Sequence, residues 1–140
     1  MSSRRDAAVT PETLPIRSDS DVVAVRQAVR TVAAALRFSV VDQTKIVTAT
    51  SELARNTLIY GGGGVAVIAQ VNNNGRDGIR VIFEDKGPGI ADIQRALTDG
   101  FTTGNGMGLG LGGSRRLVNE FDLVSKPGEG TRVTITRWRT

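Results

Sequence analysis

Residues 104–113 read GNGMGLGLGG, six glycines in ten positions, and lead directly into SRRLVNEF at 114–121, whose apolar spacing predicts a third long helix. Glycine in a helix costs about 1 kcal/mol relative to alanine, so Gly108, Gly110, Gly112 and Gly113 together cost roughly 3 to 4 kcal/mol. A bound polyphosphate would offset that cost. Glycine lets the backbone approach a bulky anion, and the free N–H groups of a first helical turn, at the positive end of the helix dipole, bind phosphate. A flexible linker tolerates the same composition, but it has no need to run into an amphipathic helix. Neither familiar phosphate loop fits in full. Gly108, Gly110 and Gly113 satisfy G-x-G-x-x-G, yet FTTGNGM before them is no strand, and the chain contains no Gly-Lys pair for a Walker A loop.

The rest of the 140 residues narrows the chemistry by omission. There is no cysteine, which excludes thiolate nucleophiles, and no histidine, which excludes a Ser-His-Asp triad and a phosphohistidine within these residues. The net charge of +4 is spread along the chain without a basic block, so no nucleic-acid partner is expected. Arg132, Arg137 and Arg139 alternate with apolar residues and are expected on the outer face of a strand. No apolar run approaches the roughly 18 residues of a membrane span, and the expectation is a soluble cytoplasmic protein.

Residues 1–12 are polar and aperiodic and are expected to be a flexible tail, with one domain over 13–140. TLPIRS (13–18) suits a short edge strand, where Pro15 is tolerated. Val22, Val25, Val29, Val32 and Leu36 give a first helix with Asp19 or Ser20 as N-cap, and Ser39 with Asp42 in capping-box spacing opens a second that closes at Gly61. The period then changes to two. GVAVIAQVNN and GIRVIFED, joined at Asn74-Gly75, predict an antiparallel hairpin. A short helix is expected over 91–100, and a closing hairpin about 127–130. The predicted fold class is α+β, a two-layer sandwich with a mixed, largely antiparallel sheet covered by helices on one face.

Two further stretches carry chemistry. In EDKGPGI (84–90), a carboxylate at a strand end can accept from an exocyclic amine while Gly87 and Gly89 admit a flat ring to the backbone, a description that adenine fits. In SELARN (51–56), Glu52 and Asn56 are four residues apart and share a helix face. The carboxylate is suited to a general base, and the amide oxygen to a Mg²⁺ ion that keeps several waters. Either stretch alone is common in turns and solvated helices.

Together, and in this order, E-x-x-x-N, D-x-G-x-G, a G-x-G-x-G loop and Gly130-Thr131 opening a late strand resemble the GHKL ATPase superfamily with its Bergerat ATP site. The resemblance runs from about residue 14 to Trp138. TSELARNTLIYGG, EDKGPGI, DGFTTG and SRRLVNEFDLVSKPGEGT look most like the small serine/threonine kinases of the bacterial stressosome partner-switching system. The likeness implies that Glu52 activates the attacking hydroxyl, Asn56 holds Mg²⁺ and Asp85 binds the adenine amine. It further implies that Gly87 and Gly89 line the purine pocket, with Thr131 bonding the base directly or through water. Gly104, Gly106, Gly108 and Gly110 would approach the phosphates, and Met107 and Leu109 would shape the lid. The family's lid often carries a basic residue that is missing here between Phe101 and Gly113; Arg55, Lys86 and Arg115 are the candidates to replace it, with backbone amides plus the metal as the alternative.

The activity implied is transfer of the ATP γ-phosphoryl group to a serine or threonine of a STAS-domain antagonist, after which the freed kinase activates a PP2C-type phosphatase. Two other readings remain at this stage: an anti-sigma-factor kinase that binds a sigma factor directly, and a non-catalytic ATP-dependent docking module. Gyrase-like or chaperone-like machines are disfavoured, because transducer domains are not expected in this length.

Overall fold

A computed structural model describes residues 11–90, 97 and 111–140. Among these residues, five strands and three helices follow in the order β1 (Glu12–Ile16), α1 (Asp19–Ala35), α2 (Val40–Ile59), β2 (Gly64–Asn73), β3 (Arg76–Asp85), α3 (Leu111–Arg116), β4 (Glu120–Lys126) and β5 (Gly130–Trp138). The sheet order is β1-β2-β3-β5-β4, and all four pairings are antiparallel, so the described sheet is not mixed.

The helices begin where side-chain oxygens satisfy their first N–H groups. Ser18, one residue before the expected cap, accepts from the Asp21 N–H at 3.2 Å, and Asp19 and Asp21 place acidic charge in the first turn. α1 buries Val22, Val25, Val29 and Ala33 on one stripe. It stops where Arg37 turns to φ 63° and the Phe38 N–H returns to the Ala33 carbonyl at 2.9 Å. Ser39 then caps α2 by accepting from Asp42 N–H at 3.1 Å. Asn74 and Gly75, both at positive φ, make the turn between β2 and β3 that their sequence predicts.

Period-two alternation builds the core. Ala66, Ile68, Ile79, Val81, Phe83, Val133 and Ile135 face the helices and meet Val25, Val29, Ile46 and Leu53, all buried. β1 is an edge strand as expected, beginning at Glu12, the last residue of the expected tail. The short helix expected over 91–100 lies outside the described residues except for residue 97, as do residues 1–10.

Two expectations need correction. The third helix does not continue to Phe121. α3 ends at Arg116, a turn closes with Leu117 N–H on Ser114 O at 3.0 Å, and the chain enters β4. Leu117 and Phe121 are four apart and mimic a helical stripe, but Phe121, Leu123 and Ser125 are the half-buried members of a strict strand alternation. The main-chain N–H of Asn119 already bonds Thr136 O at 2.9 Å, and its side chain accepts from Trp138 N–H at 2.7 Å. The sheet edge captures this segment.

The second correction is Arg137. It has the strand parity of Val133 and Ile135, so it points inward, with a side-chain exposure of 10%. Its guanidinium bonds the Asp42 carboxylate and donates to Leu117 O at 3.0 Å. Thr140 Oγ1 donates to the other Asp42 oxygen at 2.6 Å. The first turn of α2, the end of α3 and the last strand are thus tied by one buried ion pair.

Burial alone would raise the Asp42 carboxyl, but the bonds from Thr140 and Arg137 and the guanidinium charge outweigh it and hold it at about 2, below its ordinary 3.8. A depressed folded value means the stabilisation is complete above the unfolded value and disappears as pH falls from about 4 toward 2; it amounts to about 2 kcal/mol. Arg137→Met, which strands the buried carboxylate, is expected to lower the unfolding free energy by about 3 kcal/mol at pH 7. The double variant with Asp42→Asn should recover part of that loss. Urea unfolding at pH 7 and along the acid limb checks both, and a single variant as stable as the parent would show the pair to be idle.

Candidate functional site

Asp85 ends β3 and lies in one row across the sheet with Gly64 on β2, Thr131 on β5 and Ser125 on β4. Its parity is that of Phe83, so the carboxylate faces the helix layer. It meets glycine backbone there. A Cβ on Gly61, at the foot of α2, would stand 2.6 Å from Asp85 Oδ2, and a Cβ on Gly87 would stand 2.8 Å from Gly61 Cα. Gly130, at φ +89°, presses on the Asp85 carbonyl so closely that any side chain would overlap it. No other residue type fits at these three positions without moving Asp85 or the backbone around it.

The loop after Asp85 is held just as firmly. Gly87 N–H donates to Asp85 Oδ1 at 2.9 Å, Pro88 O accepts from Gly128 N–H at 2.7 Å, and Ile90 N–H donates to Ser125 Oγ at 2.8 Å. Gly89, at φ +76°, lies against the Lys126 carbonyl. Burial pushes the Asp85 carboxyl above its ordinary value, and the backbone N–H groups of Gly87 and Thr131 only partly offset this. A carboxylate in that position gains from one more donor. Gly61, Gly87 and Gly130 form a cradle of bare backbone around it.

The same helix foot carries the other predicted residues. Glu52 is exposed and Asn56 half-buried, one turn apart on α2. The main-chain oxygen of Asn56 accepts from both Tyr60 and Gly61 N–H, at 2.9 and 3.1 Å, and so turns the chain toward Asp85. Thr131 is half-buried beside Asp85, its hydroxyl 2.8 Å from that of Ser125. Gly104, Gly106, Met107, Gly108, Leu109 and Gly110 lie outside the described residues. Beyond them, a Cβ on Gly113 would meet nothing within 4 Å. That glycine's cost in α3 therefore has no packing reason within the described structure. The candidate cations Arg55, Lys86 and Arg115 are all exposed.

Among the described residues no group of three acidic or histidine side chains could hold a metal by itself. A groove of about 900 Å³ opens at this end of the sheet, but it runs past Asp85 and Thr131 onto the outer face, along Val65, Glu84, Val124 and Arg132. It shares Asp85, Ser125, Gly130 and Thr131 with the helix-side site.

Two residues of the site escape sequence reasoning. Gly61 reads as a helix stop, and only the packed structure shows the carboxylate against it. Ser125 is a small polar residue at an inward strand position, which is the signal that marks it.

Residues 41–139 match the family model of the histidine kinase-, DNA gyrase B- and HSP90-like ATPases. The chain belongs to this ATPase family. Among its relatives, the serine/threonine-protein kinase RsbT of Bacillus subtilis is 49% identical over 123 residues, spanning 88% of this chain and 92% of that protein. An anti-sigma F factor of Thermoanaerobacter is 32% identical over 119 residues, 81% of this chain and 82% of its own length. This family member is accordingly an enzyme, a protein serine/threonine kinase with an ATP site. Two solved structures share its fold. The RsbU and RsbW domains of Rv1364c from Mycobacterium tuberculosis align with a TM-score of 0.62 and 22% identity, over 93% of this chain and 32% of that one. The SiaB–SiaC complex from Pseudomonas aeruginosa gives 0.56 and 15%, over 99% and 97%. No described helix is long and apolar enough to cross a membrane.

Gly61→Ala is the sharpest test of the cradle. It is expected to leave the protein folded and to weaken ATP binding by tenfold or more, about 1.4 kcal/mol, because Asp85 must swing away. Calorimetric titration measures it. Parental affinity in the variant would mean that the carboxylate does not touch the ligand.

Proposed function

We propose that this kinase transfers the γ-phosphoryl group of ATP to a serine or threonine hydroxyl of a small STAS-domain antagonist in the cytoplasm, as one step of a partner switch. The observation that carries the reading is the desolvated Asp85 carboxylate on its glycine floor, at the foot of the helix bearing Glu52 and Asn56. The similarity to RsbT, nearly end to end, supports it.

In this mechanism Asp85 accepts from the adenine amine, Gly87 and Gly89 admit the ring, and Thr131 completes the purine edge. Gly104, Gly106, Gly108 and Gly110 offer backbone N–H groups to the phosphates, with Met107 and Leu109 closing over them. Mg²⁺, held by Asn56, would neutralise phosphate charge. Glu52 takes the proton from the partner's hydroxyl as its oxygen bonds phosphorus; the bond from phosphorus to the bridging oxygen breaks, and ADP leaves. Glu52 is exposed on α2, within reach of a hydroxyl arriving on another protein. The phosphate adds nearly two negative charges to the bound antagonist, which favours its expulsion. The freed kinase then activates a PP2C-type phosphatase.

A second reading has an observation behind it. The 32% identity with an anti-sigma F factor supports a kinase that holds a sigma factor directly in place of the phosphatase. Pull-down against purified PP2C and sigma-factor partners separates the two.

Glu52→Ala is expected to bind ATP within about twofold of the parent and to lose at least a hundredfold in phosphotransfer. Labelled ATP, Mg²⁺ and a STAS-domain substrate provide the assay, and equal rates would remove Glu52 from the chemistry. Asp85→Asn should abolish nucleotide binding, since its amide can turn a donor toward the adenine amine. Normal ATP binding by the Asp85→Asn variant would place the purine elsewhere.

A further inference from the structure

Ser125 Oγ sits at the junction of three hydrogen bonds. Ile90 N–H donates to it at 2.8 Å, it approaches Gly130 O at 3.1 Å, and it lies 2.8 Å from Thr131 Oγ1. A hydroxyl has one proton and two lone pairs. The amide of Ile90 takes one lone pair. The carbonyl of Gly130 can only accept, so it takes the proton. The second lone pair then faces Thr131, and Thr131 must be the donor in the third contact. The opposite assignment, with the serine proton on Thr131, would set two oxygen lone pairs against each other across the Gly130 contact. Only one arrangement makes all three contacts hydrogen bonds.

That fixes what Thr131 can offer a ligand. With its proton committed to Ser125, its hydroxyl oxygen presents lone pairs only. Asp85, its register partner on β3, presents a carboxylate on the same face. Neighbouring side chains at paired strand positions stand about 5 Å apart. The two oxygens together form an acceptor-only wall beside the glycine cradle.

We infer that Ser125 is a specificity-determining residue: by holding the Thr131 proton it makes the Asp85–Thr131 wall acceptor-only and so selects a 6-amino purine over a 6-oxo purine. This rests on the nucleotide reading given under Proposed function. A 6-amino group meets the wall with N–H donors, directly or through a water. A 6-oxo group meets it with a third acceptor, and a polar group left facing its like is strongly rejected. Ser125 itself touches no part of the base. It acts through Thr131 and is a positioning residue.

ATP and inosine triphosphate, which carry the 6-amino and 6-oxo groups on otherwise closely similar purines, are the probes, and the ratio of their dissociation constants is the readout. The full chain should prefer ATP by about tenfold or more. Ser125→Ala frees the Thr131 proton to turn toward O6 and should narrow the ratio at least about fivefold, chiefly by improving inosine triphosphate relative to ATP. Ser125→Thr keeps the hydroxyl and should keep the parental ratio. If Ser125→Ala weakens both nucleotides by the same factor, Ser125 merely straps the loop and the proposal is overturned. Should Ser125→Ala fail to fold, Thr131→Val decides. Loss of that acceptor must also narrow the ratio, and a parental ratio in Thr131→Val overturns the proposal. A parent that binds neither nucleotide removes the ATP site itself, an outcome distinct from an unchanged ratio.

Discussion

A carboxylate packed against bare glycine backbone organises this end of the molecule. The backbone at Gly61 presses on the Asp85 side chain, Gly130 presses on the Asp85 carbonyl and Gly87 presses on Gly61, so three segments converge here: the end of α2, the loop after β3 and the start of β5. Each convergence has a separate cause. The Asn56 carbonyl turns the α2 end by collecting two N–H groups, the Asp85 side chain itself folds the loop through Gly87, and the β4–β5 turn brings Gly130 to the strand. Burial raises the carboxyl against this packing. The site therefore holds a half-buried carboxylate that burial raises although the Gly87 N–H already bonds it, a combination that costs stability and that a further donor would relieve.

Much of the fold was legible because period and punctuation agreed. Val22, Val25 and Val29 mark a helix, the alternation through Val65 and Phe83 marks strands, and Asn74-Gly75 marks their turn. Legibility failed where local spacing was ambiguous. Leu117 and Phe121 fit a helix as well as the segment that joins a sheet edge, and only pairing with β5 decides between them. Arg137 failed for a different reason. Its charge argued for solvent, but its parity with Ile135 turned it inward, where Asp42, 95 residues earlier, receives it. No local rule finds a partner at that separation.

The candidate site divides in the same way. Glu52, Asn56, Asp85, Gly87, Gly89 and Thr131 could be proposed from the sequence because each belongs to a short motif. Gly61 and Ser125 could not. Each acts only on a neighbour brought in by the fold, one by occupying no space against Asp85 and the other by fixing a proton on Thr131. Such residues are invisible to motif reading, because their contribution is defined by the residue they touch.

The two ends of α2 explain how an exposed Glu52 can still be positioned. At the N-terminus, Asp42 is locked to Arg137 and Thr140; at the C-terminus, Gly61 is wedged against Asp85 and Gly87. Between these anchors, buried Ile46, Ala49, Leu53, Ala54 and Thr57 hold one side of the helix to the core, so the direction of Glu52 is set by the rotation of the whole rod. Under the proposed mechanism that division suits a kinase acting on another protein. The nucleotide half of the site has to be preformed and enclosed, whereas the base has to remain in water until a substrate hydroxyl covers it. A docked partner would then cover Glu52, so water would be excluded from the transfer only when the correct surface is in place.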